Sequence, residues 1–190
     1  MAISSLTQVF EVSGLVHSGR KALLQRDFDK ARQCFEKAAE KDPSYVRTAA
    51  HFSEGVWSYL GRAQYATMRF SEARQSLERA LAIYEEDHLA RLYLGMTLLR
   101  LGDDAAGLRQ LEEGLRQLHD WVESTADSKP FEPYWDPNGQ IRREIKNALG
   151  LIATKSDRAN LLSRVEWIGH EMEGETDRAR GDESRDRSRW

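Results

Sequence analysis

The chain has 190 residues, 40% of them hydrophobic and 31% charged, with a formal net charge of −3. That balance suits amphipathic helices with solvated outer faces and gives no global attraction to nucleic acid. The single cysteine, Cys34, excludes an intrachain disulfide and a zinc ribbon, and no apolar run reaches the length of a membrane span.

The N-terminal stretch MAISSLTQVFEVSGL has no basic start and no long apolar core, so no signal peptide is read there and a cytoplasmic location is expected. Residues 3–26 read as one helix, with Ile3, Leu6, Phe10, Leu15 and Ala22 along a stripe and Ser4 or Ser5 as its cap. Asp27-Phe28 turns the chain, and a second helix runs from Lys30 to Lys41. Asp42-Pro43-Ser44 ends it, because proline disfavours helix at the residue before it. One long helix is then expected from Tyr45 to about Thr67, since Tyr45, Ala49, Phe52 and Val56 fall at helical spacing. Phe70, Ala73, Leu77 and Ala80 mark the next helix, and His88 opens another. Gly102 fits a turn that needs positive φ. From Ala105 to about Ser124 the stripe continues through Leu111, Leu115, Leu118 and Val122.

The segment STADSKPFEPYWDPNG follows. Pro130, Pro133 and Pro137 forbid a helix through it. Phe131, Tyr134 and Trp135 are too apolar for a free linker, so the loop is expected to fold onto the rest, and the three form a candidate second interaction surface. Asp136-Pro137 reads as a helix start, with Ile141, Ile145, Leu149 and Ile152 on one face. Ser156-Asp157 starts a last helix through Leu161, Leu162, Val165, Ile168 and Met172. From Gly174 onward, mixed charge without apolar periodicity predicts a disordered tail.

Part of this pattern recurs. Leu60-Gly61 reappears as Leu94-Gly95, and 95 − 61 is 34. After it, Gly102, Gly107, Leu111 and Gly114 fill the slots of Met68, Ala73, Leu77 and Ala80. Upstream, Gly19, Phe28, Ala31, Phe35, Ala38 and Pro43 fill the same slots, but 61 − 19 is 42, an excess of eight residues. These residues at these offsets, with Trp57 in the first helix, resemble the tetratricopeptide repeat, a helical hairpin that cannot bury its apolar face alone. The resemblance implies an all-α, right-handed superhelical solenoid. Its parts would be three repeats with extended first helices over 1–125, an aromatic proline-rich loop over 126–136, a degenerate capping hairpin over 137–173, and the charged tail over 174–190. The eight-residue excess is read as about two added turns at the start of the 45–67 helix.

No catalytic, metal or cofactor signature is present. None of His17, His51, His88, His119 and His170 forms H-E-x-x-H or pairs with Cys34 at metal spacing, and there is no phosphate loop or nucleophile elbow. In the family this chain resembles, ligands lie in a concave groove lined by the first helix of each repeat. The resemblance thus places His17, Tyr59 and Tyr93 in one row, and Arg20, Arg62 and Met96 in the next. Tyr65 and Arg100 fall in the rows beyond. Tyrosine and arginine dominate binding hot spots. Arg20 and Arg62 share a slot of neighbouring repeats, so they are expected to form an anion-reading pair, for a partner's acidic segment or for the chain's own acidic tail.

The implied function is a non-enzymatic adaptor that binds a protein or peptide partner carrying acidic groups, with no membrane. The rival is a scaffold that self-associates through the extended helices or the aromatic loop. An anionic ligand or single-stranded nucleic acid is a weaker third idea, opposed by the net acidity. A chaperone-binding subgroup of the family grips a C-terminal carboxylate with lysines and asparagines; Val16 and Arg20 stand in the corresponding slots here.

Overall fold

A computed structural model describes residues 2–126 and 135–187. The order of elements is α1 (Ala2–Leu24), α2 (Phe28–Lys41), β1 (Val46–Ala49), β2 (Phe52–Gly55), α3 (Val56–Ala66), α4 (Phe70–Ile83), α5 (His88–Arg100), α6 (Asp104–Ala126), α7 (Gln140–Thr154) and α8 (Arg158–Arg187). Helices α1/α2, α3/α4 and α5/α6 form three hairpins stacked in chain order, and α7 packs on α6.

Glycine sets the closeness within each hairpin. A Cβ on Gly19 would lie 2.5 Å from the Phe35 ring; on Gly61, 2.5 Å from Leu77; on Gly95, 2.7 Å from Leu111. The same slot of each repeat therefore receives one fully buried large side chain from the facing helix. The turns repeat as well: Arg26, Met68 and Gly102 all have left-handed backbones, with φ of 60°, 61° and 86°. Asp27 caps α2 at the Lys30 amide and Asp87 caps α5 at the Ala90 amide.

The long helix expected over 45–67 is not what forms. Residues 46–55 make an antiparallel hairpin with Val46 opposite Gly55 and Ala49 opposite Phe52, and helix begins only at Val56. Ala50 and His51 both take positive φ, as the tight turn of a two-residue hairpin demands. Val46, Thr48, Phe52 and Ser53 suit a pleated ribbon, and the Thr48 and Ser53 hydroxyls meet across it at 2.7 Å. The helical spacing of Tyr45, Ala49, Phe52 and Val56 is overridden by what the hairpin buries. Phe52 contacts Trp121 and Trp135 at centroid distances of 4.9 and 5.3 Å. Among the described residues the otherwise all-α solenoid thus carries one two-stranded insertion, and the first helix of its second repeat is not extended.

Trp135 is 1% exposed, and its indole N–H donates to the Ala50 carbonyl at 3.1 Å. It is a core residue clasping the hairpin turn rather than part of a second surface. Phe131 and Tyr134 lie outside the described residues. Asp136 adopts φ 52°, and α7 starts at Gln140, later than the proline suggested. The Asp136 carboxylate still caps it, accepting from the Ile141 and Arg142 amides at 3.0 and 2.9 Å.

The largest correction is at the C-terminus. Residues 174–187 continue α8 instead of forming a disordered tail, and Met172, Glu173, Thr176 and Ala179 are buried. With α8 longer than α7, the terminal pair is not a simple cap over residues 137–173. Its second helix leaves α7 and crosses the inner face of the stack.

Candidate functional site: a concave face crossed by the terminal helix

The inner face is built by α1, α3 and α5, and one ridge of α8 reads across all three. Near its start, Arg158 donates to the Leu99 carbonyl at 2.6 Å and pairs with Asp104. Glu166 then accepts from the Tyr65 hydroxyl at 2.7 Å and pairs with Arg100 at 3.4 Å. Gly169 lets α8 sit against Tyr93, whose ring atoms would be 2.7 Å from a Cβ there. Glu173 is the pivot. One carboxylate oxygen accepts from Arg20 Nε and the other from Arg62 at 2.9 Å. Asp177, on the rim, takes Arg20 as well at 3.0 Å. Positions 166, 169, 173 and 177 lie on one face of a helix.

Arg62 is buried, as is Arg20. It is 4% exposed, lies between the Tyr59 and Tyr93 rings at 5.6 and 5.4 Å, and also pairs with Glu54 of the hairpin insertion. Burial alone would weaken the protonated guanidinium, but Glu54 and Glu173 outweigh it, and Arg62 is held more firmly charged than usual. Burial raises the Glu54 carboxyl to about 7, with Arg62 opposing the shift. Asp87 closes the network from below: fully buried, it accepts from the Gly55 amide at 2.8 Å and the Ser58 hydroxyl at 3.0 Å. It ties the hairpin insertion to the start of α5, and burial lifts its carboxyl to about 6.

Beside this ridge a cleft of about 600 Å³ stays open. Arg26, Phe28, Met68, Phe70, Arg100 and Trp167 are among the residues around it. Arg26 lies over the Phe28 ring at 5.8 Å. Tyr65 forms one wall, edge-on to both Phe70 and Tyr93 at 5.5 Å.

The residues chosen from the repeat register therefore separate. Arg20, Arg62, Tyr65, Tyr93 and Arg100 all contact α8, and four of these five line the cleft, Arg20 being the exception. Tyr59 and Met96, each fully buried, are core residues rather than groove surface: Tyr59 stacks on Phe35 at 5.2 Å. His17 is exposed on α1 and does not line the cleft. The sequence expects an acidic group from a partner or from the chain's own tail to meet Arg20 and Arg62, and in the structure Glu173 and Asp177 of α8 do so; it does not single out those two residues, nor Glu54 and Glu166. The signal was there in Glu166, Gly169, Glu173 and Asp177, a one-face pattern that runs past the supposed end of helix.

Among the described residues no cluster of His, Cys, Asp and Glu could hold a metal, and no helix is long and apolar enough to cross a membrane. No protein-family model matches the sequence, and no curated protein matches it either. Solved structures do. The TPR2B domain of yeast Sti1, in a complex with pHsp70, superposes with a TM-score of 0.54 at 14% identity, covering 77% of this chain and 99% of that one. The Arabidopsis OM64 TPR domain gives 0.52 at 13% identity, covering 75% and 97%. The first TPR of Spaghetti (RPAP3), bound to the HSP90 peptide SRMEEVD, gives 0.50 at 17% identity, covering 76% and 92%. At such identities the likeness shows the fold alone: with its recurring glycine seams and left-handed turns, the chain has the helical-hairpin solenoid architecture seen in tetratricopeptide-repeat domains.

Proposed function

We propose that the chain is a non-enzymatic adaptor that takes up a partner segment carrying acidic groups on its concave face. The observation behind this is the convergence of Arg20 and Arg62, from neighbouring repeats, on a single carboxylate. A surface that spaces two guanidiniums to share one carboxylate makes charge-assisted, directional bonds that a featureless groove cannot. Two of the similar structures hold chaperone-derived partners, pHsp70 and an HSP90 peptide, on the same fold. Val16 and Arg20 depart from that subgroup's lysine–asparagine pattern, so the class of partner carries over and those particular partners do not.

The open cleft is where such a segment first lands. Arg26 and Arg100 supply positive charge at its rim, while Phe28, Phe70 and Trp167 supply an apolar wall. The matching segment has an apolar or aromatic anchor next to a carboxylate, and it binds more weakly as salt screens the arginines. The test is capture of a partner from a lysate of the source cells by the full chain. An Arg26→Glu, Arg100→Glu double variant should capture at least about ten-fold less of it, whereas Arg116→Glu, on the outer surface of α6, should capture as much as the parent. Equal capture by all three would remove the cleft from consideration. Self-association through α1 is a second reading with one observation in its favour, since Val9 and Phe10 stand 54% and 74% exposed there. The mass from light scattering, measured alongside, separates the two.

A further inference from the structure

We infer that the second half of α8, from His170 to Arg180, is an internal ligand of the concave face, and that the partner which replaces it is a helix repeating its pattern of one buried carboxylate among small apolar side chains. This rests on the adaptor reading above and adds what the partner looks like and what it must displace.

The two halves of α8 are held differently. The first half buries Leu161, Leu162, Val165 and Ile168 in the same core as α7's Ile141, Ile145 and Ala148. The second half adds only Met172 and Ala179 to that core, buries Thr176 beside them, and is otherwise held by Glu173 and Asp177 on the arginines and by Glu175, which accepts from the Asp136 amide at 3.1 Å. Ion pairs of that kind fix position well, yet the desolvation of the charges cancels much of their attraction. Within the second half, immediately after Glu173, stands Gly174. A Cβ there would meet nothing within 4 Å, so no packing requirement explains a residue that weakens a helix interior. Gly169 is different, because Tyr93 needs the space. The helix thus has a firmly seated first half and a second half that contains a weak point, buries fewer apolar side chains and leans on ion pairs.

What lies beneath is complementary to an acidic helix and to little else. When the second half lifts, Arg20 and Arg62 lose Glu173 together; Arg62 keeps Glu54, and Arg20 is left to water. The exposed strip is then two guanidiniums flanked by Tyr93. A partner helix with a Glu in the place of Glu173, a Met or Leu one residue before it, small residues three and six positions after it and an Asp four positions after it would remake the contacts that Met172, Glu173, Thr176, Asp177 and Ala179 give up. The cleft beside Phe70 and Trp167 abuts this strip, since Glu173 and Arg62 line both. An anchor bound in the cleft therefore sits next to the segment it must displace.

The test uses the full chain and a labelled synthetic peptide with the sequence of residues 170–180, followed by fluorescence anisotropy. The parent chain should bind it weakly because its own α8 competes. A Gly174→Pro chain, whose second half cannot stay helical, should bind it at least ten-fold more tightly. An Arg62→Ala change added to that chain, or Ala in place of Glu173 in the peptide, should abolish the gain. Equal affinity for parent and Gly174→Pro, or a gain that survives Arg62→Ala, overturns the inference. Hydrogen exchange on the unaltered protein keeps it falsifiable if the proline variant fails to fold. Amides of 172–180 should exchange at least a hundred-fold faster than those of 161–168, and equal rates mean a permanently fixed helix. A dimer in light scattering that exchanges α8 between copies would also overturn it, since the occupant would then be the second copy. If trans binding fails while the cleft variants still lose their partner, the adaptor reading survives without the displacement.

Discussion

Where α1 meets α2, α3 meets α4 and α5 meets α6, a glycine on one helix takes a Phe or Leu from the other. Where α8 meets the inner face, the main contacts are Arg20 and Arg62 on Glu173 and Tyr65 on Glu166. The first kind of seam is non-directional and scales with area, so it supplies stability. The second gains little net free energy from its ion pairs, because both partners leave water to form them, but it accepts only one arrangement of charges. A solenoid with both kinds has a scaffold that does not depend on what occupies its groove.

The sharpest way to break that contrast is to cut an apolar seam. Leu111 is fully buried against Gly95, and its Cγ would lie 2.7 Å from a Cβ at that glycine. Leu111→Ala removes this filling from the middle of the third repeat and is expected to cost roughly 3–4 kcal/mol of global stability by urea denaturation. A loss below about 1 kcal/mol would mean that the seams do not carry the fold.

These seams are the part of the structure legible in the sequence. Gly19, Gly61 and Gly95 recur with Phe35, Leu77 and Leu111 because each repeat solves the same local packing problem, and local problems leave periodic traces. Gly102 was readable for the same reason. The charged seam left a fainter trace because it joins residues far apart in the chain. Nothing near Arg20 announces Glu173, and the glycines and charges after Gly174 look like a tail unless a groove is there to receive them. The insertion was misread for a related reason. Phe52 and Val56 fit both a helix and a ribbon, and only Trp121 and Trp135, much later in the chain, decide between them.

A pH titration addresses the charged seam itself. Burial raises the Glu54 carboxyl from 4.5 to about 7 in the folded state, with Arg62 pulling the other way. Between those values the folded chain holds a proton that the unfolded chain has released. The stabilising contribution is therefore complete below about pH 4.5 and is lost as pH rises towards 7. Glu54→Gln cannot titrate. The stability difference between parent and variant should shift against the parent across that interval. Urea midpoints at several pH values read this directly, and parallel curves would show that Arg62 keeps Glu54 ionised throughout.

The smallest effect is expected at a place belonging to neither seam. The turns between the helices of the three repeats put Arg26, Met68 and Gly102 in the same left-handed conformation. Only the third has the residue that adopts it without steric cost. For a side-chain-bearing residue the left-handed region costs about 1–2 kcal/mol, and Met68 is 77% exposed, so little burial offsets that cost. Glycine at this position relieves the clash between Cβ and backbone but adds freedom to the unfolded chain, which returns part of the gain. Met68→Gly should therefore raise stability by roughly 0.5 kcal/mol, seen as a small upward shift in urea midpoint with an unchanged slope. Met68 also lines the open cleft, which gives a reason for a strained methionine to stand where glycine would be easier. The same variant should then capture less partner despite being the more stable protein. A variant that gained stability and captured its partner undiminished would show that the cleft makes no use of Met68 and that its strain serves some other end of the α3–α4 turn.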